Sequence, residues 1–258
     1  MSVTIKQNSG FFSCCSIRLN RIVDYINLHL KIPDKVDSSE QFIWYKNSGN
    51  NNDITYDYFE HYENIQEDVQ PPIRYHHGFQ FHNYSNLNYK AITPVVQKYF
   101  SPSKNIIQII DNMKKKYKLQ YNNICVLFYR GNDKSKETKL CQYDEYLTYA
   151  NSILEQNPNI VFLIQSDETE FIEFMTNIYP NNSFYFKDET RHVNKCNSTV
   201  DKLMRNKNNE FSKYYLAITI IMSKCKYIIC GSGNCSIWIM LYRGNNENVY
   251  QNLKGNWC

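Results

Sequence analysis

Residues Asn123–Thr138 read NICVLFYRGNDKSKET, a run of apolar residues that breaks into charges of both signs at Arg130, Asp133, Lys134, Lys136 and Glu137. Ile124 to Tyr129 is too short for a helix and does not alternate with polar residues, so it reads as a strand covered on both faces. Such strands belong to parallel sheets, and the flanking sequence agrees. KNIIQIIDNMKKKY (104–117) has the apolar spacing of a helix, with Ser101 or Ser103 as its cap near Pro102. After the strand come a helix over 143–156, a second apolar strand NIVFLIQ (159–165), a helix over 166–179 and a short strand SFYF (183–186). A helix EFSKYYLAITIIMSK (210–224), a strand CKYIIC (225–230), a helix CSIWIMLYR (235–243) and a last strand NVYQ (248–251) complete the alternation. Strand–helix alternation of this kind gives an α/β fold with a doubly wound parallel sheet. Its ligands are expected beyond the carboxyl ends of the strands, where RGNDK, QSDE and GSGN lie.

The first hundred residues are less regular. SVTIK (2–6) reads as a strand, QNSGFFSCCS (7–16) as a loop, Ser16 to Leu30 as a helix ended by Pro33, and QFIWYK (41–46) as a second strand. From Asn47 to Asn88 the chain is polar and irregular, which implies short unrecognised helices or a functional lid. The halves are expected to divide between Tyr89 and Ser103, giving an N-terminal part of 1–100 and a C-terminal part of 101–258.

The chain has 258 residues, 42% hydrophobic and 21% charged, with a net charge of +4, nine Cys and 22 Tyr. That is long enough to bury a core without cross-links. The charge is too small, and the basic residues too scattered, for nucleic-acid binding. No stretch approaches the ~20 apolar residues of a membrane span. The opening MSVTIKQNSGFFSCCS lacks the pattern of a signal peptide, so a cytoplasmic protein with reduced thiols and unused Asn-linked glycosylation motifs is expected. The enrichment in Asn, Lys, Ile and Tyr is that of AT-rich coding DNA, as in some large DNA viruses, protists and low-GC bacteria.

Three clusters are able to carry chemistry. In the first, Arg130 offers a planar fork for diphosphate oxygens, Lys134 a point charge, and Asp133 a means of orienting either; a surface salt-bridge loop is the plain alternative. In the second, CGSGNCSIW (230–238), small residues and a new helix start near Asn234 to Ser236 suit a phosphate, although a tight turn accounts for the glycines equally. In the third, IQSDETE, Asp167 and Glu168 face ribose or sugar hydroxyls, or else Ser166 and Asp167 cap the next helix. No DxD pair of the metal-carrying kind is present, so cationic side chains and a helix terminus are expected to neutralise a departing diphosphate. His76, His77 and His82 lack ligand spacing, and Cys225, Cys230 and Cys235 fall on successive strand, turn and helix positions that diverge in space.

In this order the clusters resemble the GT-B glycosyltransferases of the GDP-fucose-dependent superfamily, the α1,2-, α1,6- and protein O-fucosyltransferases. FYRGNDK is similar to that superfamily's HxRRxD(K), LIQSDE to its S/T-D-D/E strand end, and IIMSKCKYIICGSGNCSIW to its third motif. Together they cover about residues 104 to 245. NSGFFSCCSIRLNRIVDYI resembles the glycine loop and first helix of the other half. Phe128 stands where the family has its His, and Gly131 where it has a second Arg.

The resemblance implies a GT-B-like fold whose C-terminal Rossmann-like half binds the donor and whose smaller, reduced N-terminal α/β half binds the acceptor. It implies Arg130 on the donor's diphosphate and Glu137 or Asp133 as catalytic base. Lys134, Asp167, Glu168, Ser232, Gly233, Asn234, Cys235, Ser236 and Gly10 are implied as donor-binding residues. The expected activity is metal-independent inverting transfer of a sugar, fucose from GDP-fucose, to a glycan or protein hydroxyl, with no cofactor besides the nucleotide-sugar. A non-catalytic nucleotide- or glycan-binding module is the alternative, and an NAD-type oxidoreductase rests on GSGN alone.

Overall fold

A computed structural model describes residues 2–47, 49–60 and 69–258. The chain opens with β1 (Ser2–Thr4), α1 (Phe11–His29) and β2 (Lys35–Asp37); β1 and β2 pair in parallel as a sheet of their own. A 3-10 turn at Ile43–Tyr45, the short α2 (Thr55–Tyr58) and 3-10 turns at His77–Phe81 and Tyr84–Asn86 lead to α3 (Tyr89–Phe100) and α4 (Lys104–Lys116). Next come β3 (Ile124–Tyr129), a 3-10 turn at Asn132–Lys136, α5 (Glu145–Gln156), β4 (Val161–Ser166), α6 (Thr169–Ile178) and β5 (Ser183–Phe184). The chain ends with α7 (Val200–Leu203), a 3-10 turn at Arg205–Lys207, α8 (Asn208–Lys224), β6 (Tyr227–Gly231), α9 (Asn234–Arg243), β7 (Val249–Leu253) and β8 (Asn256–Trp257).

The larger sheet has the order β5-β4-β3-β6-β7-β8, parallel throughout except for the closing β7–β8 hairpin. From β3 the chain winds outward through β4 to β5, then returns to lay β6 on the other side of β3. The winding reverses between β3 and β6, and an open α/β sheet has its ligand crevice at such a point.

All six residues of β3 are buried. Cys125, Leu127 and Tyr129 enter the core beneath α5 and α6. Ile124, Val126 and Phe128 enter the other core, which runs from Ile5 to Leu241 and contains α1, α3, α8 and α9. Two covered faces with a side-chain period of two explain the unbroken apolar run. Ile124, Val126, Leu127 and Phe128 are each worth roughly 1.5–3 kcal/mol in burial.

Hydrogen bonds pin the N-terminal elements to the larger sheet's helices. Trp238 donates from Nε1 to Ser16 Oγ (3.0 Å), Tyr242 donates to the Phe100 carbonyl (3.0 Å), and the hydroxyls of Tyr58 and Ser212 pair at 2.7 Å.

Four sequence expectations need correction. The first long helix begins at Phe11, not Ser16, because Phe11 and Phe12 are buried core residues and the Phe11 N–H donates to Tyr45 Oη at 2.7 Å. QFIWYK is no strand. Phe42 has φ of 59°, Ile43 and Trp44 are exposed between buried Phe42 and Tyr45, and that burial rhythm belongs to a turn. The strand paired with β1 is instead Lys35–Asp37. The NVYQ strand is followed by β8, and helical turns precede Asn208 where none were expected. In the irregular stretch 47–88 the described part forms short helical turns, and residues 61–68 lie outside the described residues.

Candidate functional site

Arg130 leaves the end of β3 at the switch point with its side chain 26% exposed. Nε donates to Asp167 Oδ2 (2.9 Å) from the end of β4, and one terminal nitrogen donates to Tyr215 Oη (3.0 Å) on α8. The other reaches Asp133 Oδ1 at 3.5 Å. Burial works against the guanidinium charge, but Asp167, Tyr215 and Asp133 outweigh it and hold its pKa above the ordinary arginine value. A guanidinium has more N–H groups than these three partners take, so part of its fork is left for a ligand oxygen.

Behind Arg130 the loop is clamped from below. The Gly131 N–H donates to Asp167 Oδ1 (3.0 Å), the Asn132 N–H to Glu168 Oε1 (2.5 Å), and Asn132 Nδ2 to the Asp167 carbonyl (2.8 Å). The other Glu168 carboxylate oxygen accepts from the Tyr143 hydroxyl. A Cβ on Gly131 would lie 1.9 Å from Glu168 Oε1 and 2.1 Å from its Cδ. No side chain fits there while Glu168 keeps its place, which accounts for glycine at this position.

The turn after β6 supplies the facing wall. Gly233 (φ 158°) precedes α9, and its N–H donates to Tyr84 Oη at 3.1 Å. A helix's first amides have no intrahelical acceptor, and here they belong to Asn234, Cys235 and Ser236, all of which line the cleft. Lys134 joins the two walls. It is 7% exposed, its Nζ is paired with the Glu137 carboxylate and lies 5.6 Å from the Phe81 ring centre, and its Cε is 3.3 Å from where a Gly233 Cβ would be.

The cleft so formed has a volume of about 670 Å³, within the range of small-molecule sites. Its N-terminal wall includes Gly10, Phe12, Ser13, Trp44, His77 and Phe81. His77 Nε2 is 3.3 Å from Ser13 Oγ, and burial followed by the Lys134 charge lowers its pKa. Four cations (Arg130, Lys134, Arg191, Lys202) and five carboxylates (Asp133, Glu137, Asp167, Glu189, Asp201) line it. The cleft therefore has no net positive field, and any preference for an anion is local, at the Arg130 fork and the α9 amides.

Of the residues singled out from the sequence, Arg130, Asp133, Lys134, Glu137, Asp167, Gly233, Asn234, Cys235, Ser236 and Gly10 all line this one cleft. Two others point elsewhere. Glu168 is fully buried beneath the motif loop. Ser232 donates to the Asn252 carbonyl (2.8 Å) and accepts from Gln251 Nε2 (2.8 Å), away from the cleft. Neither Ser166 nor Asp167 caps α6: its cap residue is Glu168, and Ser166 Oγ accepts only the Glu168 N–H.

Sequence reading missed Tyr215, whose place in an apolar helical stripe gives no sign that its hydroxyl meets Arg130. It also missed His77, Phe81 and Tyr84, which come from the irregular stretch. Arg191 and Asp201 were missed as well; they pair at 2.5 Å on the rim.

No protein-family profile matches the chain, and no curated protein matches it in sequence. Among solved structures, the NodZ α-1,6-fucosyltransferase co-crystallised with GDP is similar over all of this chain and 97% of that one, at 9% identity and a TM-score of 0.50. Two further NodZ structures, one soaked with GDP-fucose and one described as from Bradyrhizobium, match 66% of this chain with TM-scores of 0.39, again at 9% identity. The chain spans about half the length of those two, 52% and 51%. Likeness at this identity is likeness of fold. The chain has a GT-B-like α/β fold of the fucosyltransferase type, with its parallel sheet as the Rossmann-like element.

Proposed function

We propose that the protein is an inverting glycosyltransferase acting on a GDP-sugar, GDP-fucose in particular, without a bound metal. One observation carries this reading: Arg130, oriented by two carboxylates and a tyrosine hydroxyl, faces the first turn of α9 across a single cleft at the sheet's switch point. Preorganised donors of that kind stabilise charge that develops during a reaction. The fold likeness to a fucosyltransferase crystallised with GDP supports the choice of donor.

In the proposed reaction an acceptor hydroxyl attacks the anomeric carbon in line. The new carbon–oxygen bond forms as the bond to the diphosphate oxygen breaks, and the departing charge falls on the Arg130 fork and the amides of Asn234, Cys235 and Ser236. Lys134 supports the same phosphates. Glu137, 43% exposed at the rim, takes the hydroxyl proton, while Asp133 and Asp167 hold Arg130. Residues 101–258 supply the donor side, joined by Gly10, and residues 1–100, through Ser13, Trp44, His77 and Phe81, the acceptor side.

GDP should raise the melting temperature where UDP and NAD do not, and NMR should show transfer or slow release of sugar from GDP-fucose. Arg130→Ala should lower turnover on the order of 10²–10³-fold. Wild-type rates in that variant end the assignment.

A second reading, a module that binds the nucleotide without turning it over, is favoured by the engagement of Arg130 and Lys134 with Asp133, Asp167 and Glu137. GDP binding with no sugar release at any pH would select it.

A further inference from the structure

A second concavity opens off the cleft along residues 188–207. Its volume is about 630 Å³, and it shares Thr190, Arg191, Lys202 and Phe211 with the cleft, so the two adjoin along these residues. It contains none of the diphosphate-facing residues, neither Arg130 nor the 233–236 turn.

The groove's charge is not balanced. Arg191 is neutralised by Asp201 (2.5 Å) and fixed by Asn208 Oδ1 (2.8 Å), with its guanidinium carbon 5.3 Å from the Phe211 ring centre. Asp188, the groove's carboxylate, is paired with Lys116 at 2.7 Å. Lys202, Arg205 and Lys207 have no ion-pair partner among the described residues, and the sequence from 202 to 209, KLMRNKNN, contains no acid. In the cleft Arg130, Lys134 and Arg191 are each met by an acid, whereas Lys202, Arg205 and Lys207 border the groove without one, Lys207 Nζ lying 5.9 Å from the Phe211 ring centre. Between them Leu203 and Met204 are 55% and 40% exposed, presenting apolar surface beside the charges.

We infer that this groove receives an anionic substituent of the acceptor, a phosphate or sulfate ester on a saccharide, and so selects a charged glycan over a neutral one. As a statement about an acceptor this rests on the sugar-transfer reading. As a statement about an anion site it rests on the groove alone, and the test separates the two.

The protein is prepared with isotope-labelled methionine methyl groups, saturated with GDP to cover Arg130, and titrated with N-acetylglucosamine 6-sulfate and mannose 6-phosphate. The unmodified sugars serve as controls, and Met204→Leu identifies the groove signal. The Met204 methyl resonance should move with the charged sugars and stay with the neutral ones. Arg205→Gln/Lys207→Gln should weaken that binding about tenfold, the loss of one charge-assisted hydrogen bond, with the GDP-induced thermal shift unchanged.

Equal responses to neutral sugars, charged sugars that leave Met204 unmoved, or full affinity in the double variant would each overturn the inference. So would binding to phosphatidylglycerol vesicles without any response to the charged sugars, since the groove would then be a membrane contact. Absence of a GDP shift with the Met204 response intact would count against the donor reading and leave the anion site standing.

Discussion

Replacing Gly131 by alanine tests how the motif loop is held. The added methyl carbon would lie 1.9 Å from Glu168 Oε1, 2.1 Å from Cδ and 2.5 Å from Oε2, so the carboxylate has to leave. Glu168 is fully buried, and its two oxygens accept from the Asn132 N–H and the Tyr143 hydroxyl. Hydrogen bonds to a charged acceptor are worth about 1.5–3 kcal/mol each, so losing both costs about 3–6 kcal/mol. That is a large share of the roughly 5–15 kcal/mol that keeps a domain folded. Urea unfolding should show a midpoint lowered accordingly. Gly231→Ala, at a glycine whose Cβ would meet nothing within 4 Å, should move it little. In Gly131→Ala/Glu168→Ala the clash is gone, so the double variant should be less destabilised than the two single variants summed. An unchanged midpoint in Gly131→Ala, or strict additivity in the double variant, would refute the reasoning.

Tyr215→Phe should lower GDP affinity and transfer about tenfold, since one hydrogen bond that aims Arg130 is lost, while the melting temperature stays close to that of the parent. His77 and His192 both have pKa values lowered from 6.5, chiefly by burial. The unfolded chain therefore takes up protons first as pH falls, stability declines below about pH 6.5, and His77→Gln/His192→Gln should flatten urea midpoints measured from about pH 7 to 5. All nine cysteines are free, seven of them buried; a thiol reagent followed by mass spectrometry should modify Cys258 and Cys196 in the native protein and the others only after unfolding.

The sequence alone determined the parallel sheet. Six apolar residues before Arg130, and similar runs before Ser166 and Gly231, are the mark of strands covered on both faces, and the helices between them leave a doubly wound order as the outcome. It also located most of the cleft, because a switch-point crevice is lined by whatever follows the strands, and Arg130, Asp133, Lys134, Asp167 and Asn234 follow them. What it left undecided was direction. Asp167 and Glu168 are neighbours in sequence at one strand end, yet Asp167 meets Arg130 in the cleft and Glu168 turns beneath the loop. Adjacent residues leave a backbone on different sides, and only packing decides which side is the cleft. The N-terminal half was harder still. Its residues reach the site from turns rather than regular elements, and Phe42–Tyr45 follows contacts with Asp201 and Asn209 that lie more than 150 residues away. Local periodicity has no access to such partners. Tertiary structure alone decided that Tyr215 would hold Arg130, that Gly131 must lack a side chain, and that the cations of 202–207 would line one groove beside the cleft.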